Sequence, residues 1–153
     1  MVNSTEYRTP SEAAARTGKW AVIITKQRIH QITRQRPFPY WHLIEFRGPN
    51  GGEAKGVVDL IAIRKDHSES GSGTKCGDKL QIVLIQVKGG NAAWPTADDR
   101  KRLRFVARYH RANKVLLAVW KKGKGVEFFS LQDKPVEGAE NWARVSDPSA
   151  IFC

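Results

Sequence analysis

The sequence predicts an α/β sandwich: a mixed central sheet flanked by helices, with the element order α-β-β-β-α-β-β. Three observations carry that expectation. A capped helical run occupies residues 10–33. Five short apolar stretches rich in β-branched residues follow, spaced by Gly-, Pro- and Lys-containing turns. A second amphipathic helix interrupts them, so strands and helices alternate in one chain rather than segregating into all-α or all-β halves.

The elements follow in order. In "TPSE" (9–12), Thr9 can cap, Pro10 suits the first helical position and Glu12 stands where a capping box wants an acid. Ala13 to Ala15 favour helix and Gly18 weakens it; "WAVIIT" by itself would also suit a strand. The reading is one long or broken helix, ended by "RQRPFP". "YWHLIEF" (40–46) reads as a strand, "RGPNGGEAKG" (47–56) as a turn returning a hairpin, and "VVDLIAIRK" (57–65) as the strand that returns. "DHSESGSGTKCGDK" (66–79) is a polar loop, expected to be mobile. "LQIVLIQVK" (80–88) is nearly all apolar, as a central strand covered on both faces must be.

"TADDRKRLRFVARYHRAN" (96–113) reads as the second helix. Thr96 caps it, Asp98 and Asp99 suit the positive end of its dipole, and Leu103, Val106, Ala107 and His110 form an apolar stripe for the sheet. "KVLLAVWKK" (114–122) and "GVEFFSL" (125–131) complete the strands. The expected organisation is one domain over 1–153, with its core at about 9–131 and an irregular tail at 132–153.

Composition narrows the function classes. Lys and Arg number 26 against 15 Asp and Glu, a formal charge of +11 that draws the chain to polyanions. No basic helix with a bulky apolar face and no run long enough to span a bilayer appears, so DNA, with RNA as the alternative, is favoured over a membrane. Cys76 and Cys153 have no metal-ligand spacing and are too few for a disulfide framework, and no secretory signal is visible at the N-terminus, so an intracellular setting is expected. His30, His42, His67 and His110 show no zinc spacing, "GPNGG" lacks the Lys-Ser/Thr of a phosphate loop, and no serine stands in an elbow pattern.

The chemistry concentrates in two strands that carry polar groups a dry sheet should avoid: Asp59 in "GVVDLIAIRK", and Gln86 and Lys88 in "LQIVLIQVKGG". Gln86 and Lys88 are two apart and share a face, and a neighbouring strand can bring Asp59 beside them. One carboxylate, one amide oxygen and a main-chain carbonyl, that of Val87, would suffice for Mg²⁺ or Mn²⁺, which takes oxygen ligands and keeps several waters. Lys88 would then orient a water or balance charge growing on a phosphate. The structural alternatives are that Asp59 binds nearby backbone or an Arg, and that Lys88 is the polar end of its strand.

This arrangement resembles the PD-(D/E)xK nuclease superfamily, the restriction-endonuclease-like fold that includes archaeal-type Holliday junction resolvases. The resemblance rests on "GVVDLIAIRK" for the first acid and "IQVK" for the (D/E)xK half, and extends through the element order over 9–131. It implies Mg²⁺-dependent (or Mn²⁺-dependent) hydrolysis of phosphodiester bonds in DNA, with Asp59 and Gln86 as metal ligands and Lys88 as the catalytic lysine. Members often add a glutamate from the first helix, in which place Glu12 stands, with Glu6 and Glu45 as competitors. Resolvases of this type act as dimers, so a homodimer is also implied. Two positions depart from the pattern: Val58 replaces the proline, and Gln86 replaces the second acid, removing one negative charge.

A nucleic-acid surface is expected on helix 96–113. Arg100, Arg104, Arg108 and Arg111 recur at i, i+4, i+8 and i+11, a basic stripe that Lys101 broadens and that no acid after Asp99 interrupts. The leading expectation is therefore a metal-dependent, structure-specific nuclease. The alternatives are a weak or inactive nucleic-acid-binding module of the same fold, in which Gln86 marks a decayed site, and a basic subunit of a larger nucleoprotein assembly.

Overall fold

The structure is a computed structural model, and it describes residues 9–34, 40–49, 55–68, 71, 73–134 and 141–153. The first helix, α1 (Pro10–Thr33), begins where the sequence predicts. Glu12 Oε2 accepts the Thr9 N–H at 2.8 Å and Thr9 Oγ1 accepts the Glu12 N–H at 3.3 Å, a reciprocal capping box. The "WAVIIT" segment is helical, not a strand: Ala21, Thr25, Ile29 and Ile32 are buried at i, i+4, i+8 and i+11, and packing of that one face outweighs the β-branched residues and Gly18.

Four strands and one helix follow the first strand, β1 (His42–Glu45): β2 (Leu60–Lys65), β3 (Leu80–Gly89), α2 (Ala97–Tyr109), β4 (Lys114–Lys121) and β5 (Gly125–Leu131). Two further elements lie in the tail expected to be irregular: β6 (Trp142–Arg144) and α3 (Ser149–Phe152). Each is tied down by one buried aromatic. Trp142 packs under α2, while Phe152 packs edge-on against Trp41 and its carbonyl accepts the Trp41 Nε1–H at 2.9 Å.

The strands run in chain order across one six-stranded sheet, antiparallel throughout except where β3 pairs parallel with β4. That exception follows from α2, since parallel neighbours need a crossover and α2 supplies it. The two sheet faces are covered unequally. On one, α1 and α3 pack over Leu60, Ala62, Ile85, Leu116 and Phe128. On the other, Leu103 of α2 packs over Leu84, Val115, Leu117 and Val119, so α2 sits across β3 and β4. Val106 and Ala107 join this contact as predicted; His110 does not, because the helix ends at Tyr109 and leaves it exposed as the C-cap.

Gly89 closes the α1 layer. A Cβ there would lie 2.9 Å from Ala21 Cβ and 3.1 Å from the Thr17 carbonyl oxygen, so the helix approaches the end of β3 more closely than a side chain permits.

Candidate active site and nucleic-acid interface

The end of β3 and the start of β2 meet where the ladder between them slips. Leu60 is paired with Ile85, yet the Asp59 N–H also donates to the Ile85 carbonyl, at 3.0 Å, one residue out of register. The Asp59 carbonyl in turn accepts the Phe46 N–H at 3.0 Å. With the main chain thus displaced, the Asp59 side chain takes over the next position: its Oδ2 accepts the Val87 N–H at 2.7 Å. Asp59 therefore binds nearby backbone, one of the roles its sequence position allows. The N–H it binds is the one that separates Gln86 from Lys88.

Gln86 is among the few polar residues in the core, with 7% of its surface exposed. Strand alternation puts it on the α2 face with Leu84, between the ladders to Leu117 on β4 and to β2. Its Oε1 has no hydrogen-bond partner among the described residues. A buried amide oxygen without a partner costs about 1–3 kcal/mol. Such a cost is an observation to be accounted for, and a cation would account for it. Lys88, two residues on, is on the same face and half-buried. Its charge reaches Asp99 on the first turn of α2, whose carboxyl lies below the ordinary aspartate value, chiefly through the Thr96 N–H, with a contribution from Lys88.

The donor set fits a hard cation narrowly. Among the described residues, no group of three or more His, Cys, Asp and Glu is arranged to hold a metal ion. One carboxylate at Asp59 and one orphaned amide oxygen at Gln86 are both oxygen donors, the chemistry Mg²⁺ prefers, and they leave the rest of its shell to main-chain carbonyls and water.

The candidate glutamates make other contacts. Glu12 is exposed at the start of α1, and its carboxyl is held below the usual value by the Thr9 main-chain N–H, then by the Thr9 hydroxyl. Glu45 accepts Lys26 Nζ at 2.6 Å and pairs with Arg47 at 3.1 Å; burial works to raise its carboxyl, but these two cations hold it below the ordinary value. Its salt bridge to α1 puts it on the face opposite Gln86. Glu6 lies outside the described residues.

The basic stripe divides. Arg100 donates from Nη1 to the Pro95 carbonyl at 2.9 Å, and Arg104 donates to the Gln132 carbonyl at 2.9 Å and to Asn141 Oδ1 at 3.0 Å. These two guanidinium groups tie α2 to its flanking loops. Arg108 and Arg111 are exposed and, with Arg104 and Lys114, line a cleft of about 550 Å³ between α2 and β5. Lys101 and Arg102 face the other way. With Phe46, Val57, Val58 and Phe105 they line a cleft of about 780 Å³ between α2 and the β1–β2 edge, beside Asp59.

That second cleft is what sequence reasoning missed. Phe105 and Tyr109 lie off the Leu103–Val106–Ala107 stripe, so two aromatics at i, i+4 remained for the exposed side of α2. Their spacing was the available signal.

No family model matches the chain and no curated protein matches it. Among solved structures, it is similar to Hjc, a Holliday junction resolvase from the archaeal hyperthermophile Archaeoglobus fulgidus: 15% identity, 86% of this chain and 85% of that chain covered, and a TM-score of 0.46. The architecture described above rests on this chain's own strand order and register.

Proposed function

We propose that the protein is a metal-dependent nuclease that hydrolyses phosphodiester bonds in DNA, structure-specific in the manner of Holliday junction resolvases. The observation that carries this reading is the orphaned Gln86 Oε1, buried on the strand whose next N–H is held by the Asp59 carboxylate, with Lys88 following on the same face. Asp59, Gln86 and the Val87 carbonyl hold Mg²⁺ or Mn²⁺ in this reading. The bound cation supplies positive charge to polarise a phosphoryl oxygen and to acidify water. Lys88 orients that water and balances charge on the phosphate. Arg108, Arg111 and Lys101, on the two flanks of α2, contact backbone phosphates, and two copies act together so that both strands are cut. Glu12 serves as a helix cap.

The test is strand cleavage of labelled linear, single-stranded and four-way DNA with Mg²⁺, Mn²⁺ or EDTA. Cleavage that needs the metal and disappears in Lys88→Ala is expected. Gln86→Glu restores a second carboxylate, and with it cation affinity and cleavage should rise. Binding to DNA without cleavage by either the native chain or Gln86→Glu would instead favour the inactive binding module.

A further inference from the structure

Helix α2 ends on a strained residue. Arg111 has a φ of 52°, in the left-handed region, where every other occupant among the described residues is a glycine. The turn around it is fixed. The Ala112 N–H donates to the Ala107 carbonyl at 2.8 Å and the Arg111 N–H to the Arg108 carbonyl at 3.2 Å, the paired bonds of a helix end that glycine ordinarily closes. Asn113 locks the exit: its Oδ1 accepts the Ile82 N–H at 2.8 Å and its own N–H donates to the Ile82 carbonyl at 2.7 Å. An arginine at this position weakens the fold. Nothing offsets that within the turn, since the Arg111 side chain has no hydrogen-bond or ion-pair partner among the described residues.

Arg111 lines the cleft of about 550 Å³ between α2 and β5 with Arg104, Arg108 and Lys114. Arg104 is the fixed wall, tied to Gln132 and Asn141. The charge of Asp133, the one acid on the lining, reaches Arg104. Arg108 and Lys114, like Arg111, are exposed and have no side-chain partner among the described residues. Three unpaired cations in one concave site repel one another, an anion relieves that repulsion, and guanidinium forks suit phosphate. The cleft is remote from the catalytic cluster. Lys114 pairs with Val83, and Val119 with Lys88, so the cleft lies about 17 Å, five strand residues, from Lys88.

We infer that this cleft is a remote anchor for a backbone phosphate of the nucleic acid, and that the strained turn serves to place Arg111 in it. The inference rests on the nucleic-acid reading proposed above, and what it adds is a length. Along one strand of a duplex, phosphates advance about 3.4 Å per nucleotide, so about 17 Å corresponds to about five base pairs. An arm that ends sooner than this beyond the phosphate at Lys88 cannot fill the cleft. The protein therefore selects arms by length.

The test reads binding without cleavage, by fluorescence anisotropy in EDTA, on four-way DNA with arms longer or shorter than about five base pairs. The native chain should bind the long-armed junction more tightly by about tenfold, the scale of one charged contact. Arg111→Gly should lose that preference and yet melt about 2–4 °C higher, because the strain is gone. Arg111→Ala should lose the preference equally without the gain in stability, since alanine is strained there too. A native chain indifferent to arm length would overturn the inference. So would an Arg111→Gly chain that melts higher and binds as the native one does, or one that loses affinity equally for long and short arms. The expected length dependence in a chain that never cleaves would leave the anchor standing and overturn only the nuclease reading.

Discussion

Replacement of Asp59 separates the two jobs its carboxylate is given. In Asp59→Ala the Val87 N–H loses a 2.7 Å charge-assisted bond at a part-buried position. A hydrogen bond to a charged group contributes roughly 1.5–3 kcal/mol, and a stranded buried donor costs a similar amount. For a chain of this length, about 1 kcal/mol corresponds to roughly 2–4 °C, so Asp59→Ala should melt some 4–10 °C below the native protein. Asp59→Asn keeps an oxygen acceptor toward Val87 and removes the charge. Its melting temperature should fall by no more than about 2–4 °C, the equivalent of about 1 kcal/mol. Its Mg²⁺ binding by calorimetry and its strand cleavage should nonetheless fall with the alanine variant's, by about 10²-fold, the usual scale for removing one electrostatic contact from an active site. Asn and Ala would thus differ in stability and agree in activity. An Asp59→Asn protein that cleaves as fast as the native chain would show that the carboxylate only ends the strand. Equal melting of Ala and native chains would show that the Val87 bond holds nothing.

Other positions are tested more briefly. Asp99, held below the ordinary value of 3.8 chiefly by the Thr96 N–H, stabilises the fold above that pH and ceases to do so as pH falls through its lowered value. Urea midpoints of the native chain and Asp99→Asn should therefore differ at neutral pH and converge as the pH falls through that lowered value. Gly89→Ala forces a Cβ against Ala21 and the Thr17 carbonyl and should cost about 1–3 kcal/mol by chemical denaturation, with Ala21→Gly restoring part of the loss. Arg104→Ala, which breaks the ties to Gln132 and Asn141, should destabilise the fold by about 1–3 kcal/mol. Arg108→Ala should leave melting unchanged and reduce the slope of DNA affinity against salt by about 1.

How far the sequence was legible varies with the length over which its signal is written. Helix α1 was bounded correctly because Thr9, Pro10 and Glu12 mark its start and an apolar stripe runs through it. Strand β5 was bounded correctly because a Lys/Gly turn precedes it. The second strand begins at Leu60 rather than Val57, since the ladder slips at Asp59; Val57 is buried beneath α2 without joining β2. The elements β6 and α3 span three and four residues, too short for any period to register, and each depends on one distant aromatic contact. At the site, alternation alone put Gln86 and Lys88 on one face. What alternation could not tell was that Asp59 would reach β3 through the Val87 N–H, which depends on a local slip, or that Gln86 Oε1 would have no partner among the described residues.

The basic stripe shows a different limit. Helical spacing put Arg100, Arg104, Arg108 and Arg111 on one stripe, but the helix ends at Tyr109, so Arg111 reaches the cleft from beyond it, and Arg100 is tied to Pro95 instead; nor does spacing say what each side of a helix faces. In the fold α2 has three sides. Leu103, Val106 and Ala107 meet the sheet; Arg104, Arg108 and Arg111 meet the cleft beside β5; Phe105 and Tyr109 stand over the open β1–β2 face. Lys101 and Arg102 line the cleft with Phe105, so cations stand on both flanks of α2 and the two aromatics on one. The separation is set by the offset of one residue between Arg104 and Phe105, which turns about 100° around a helix of 3.6 residues per turn. Moving Arg104 by one position would therefore take it out of the cleft beside β5 and break its bonds to Gln132 and Asn141.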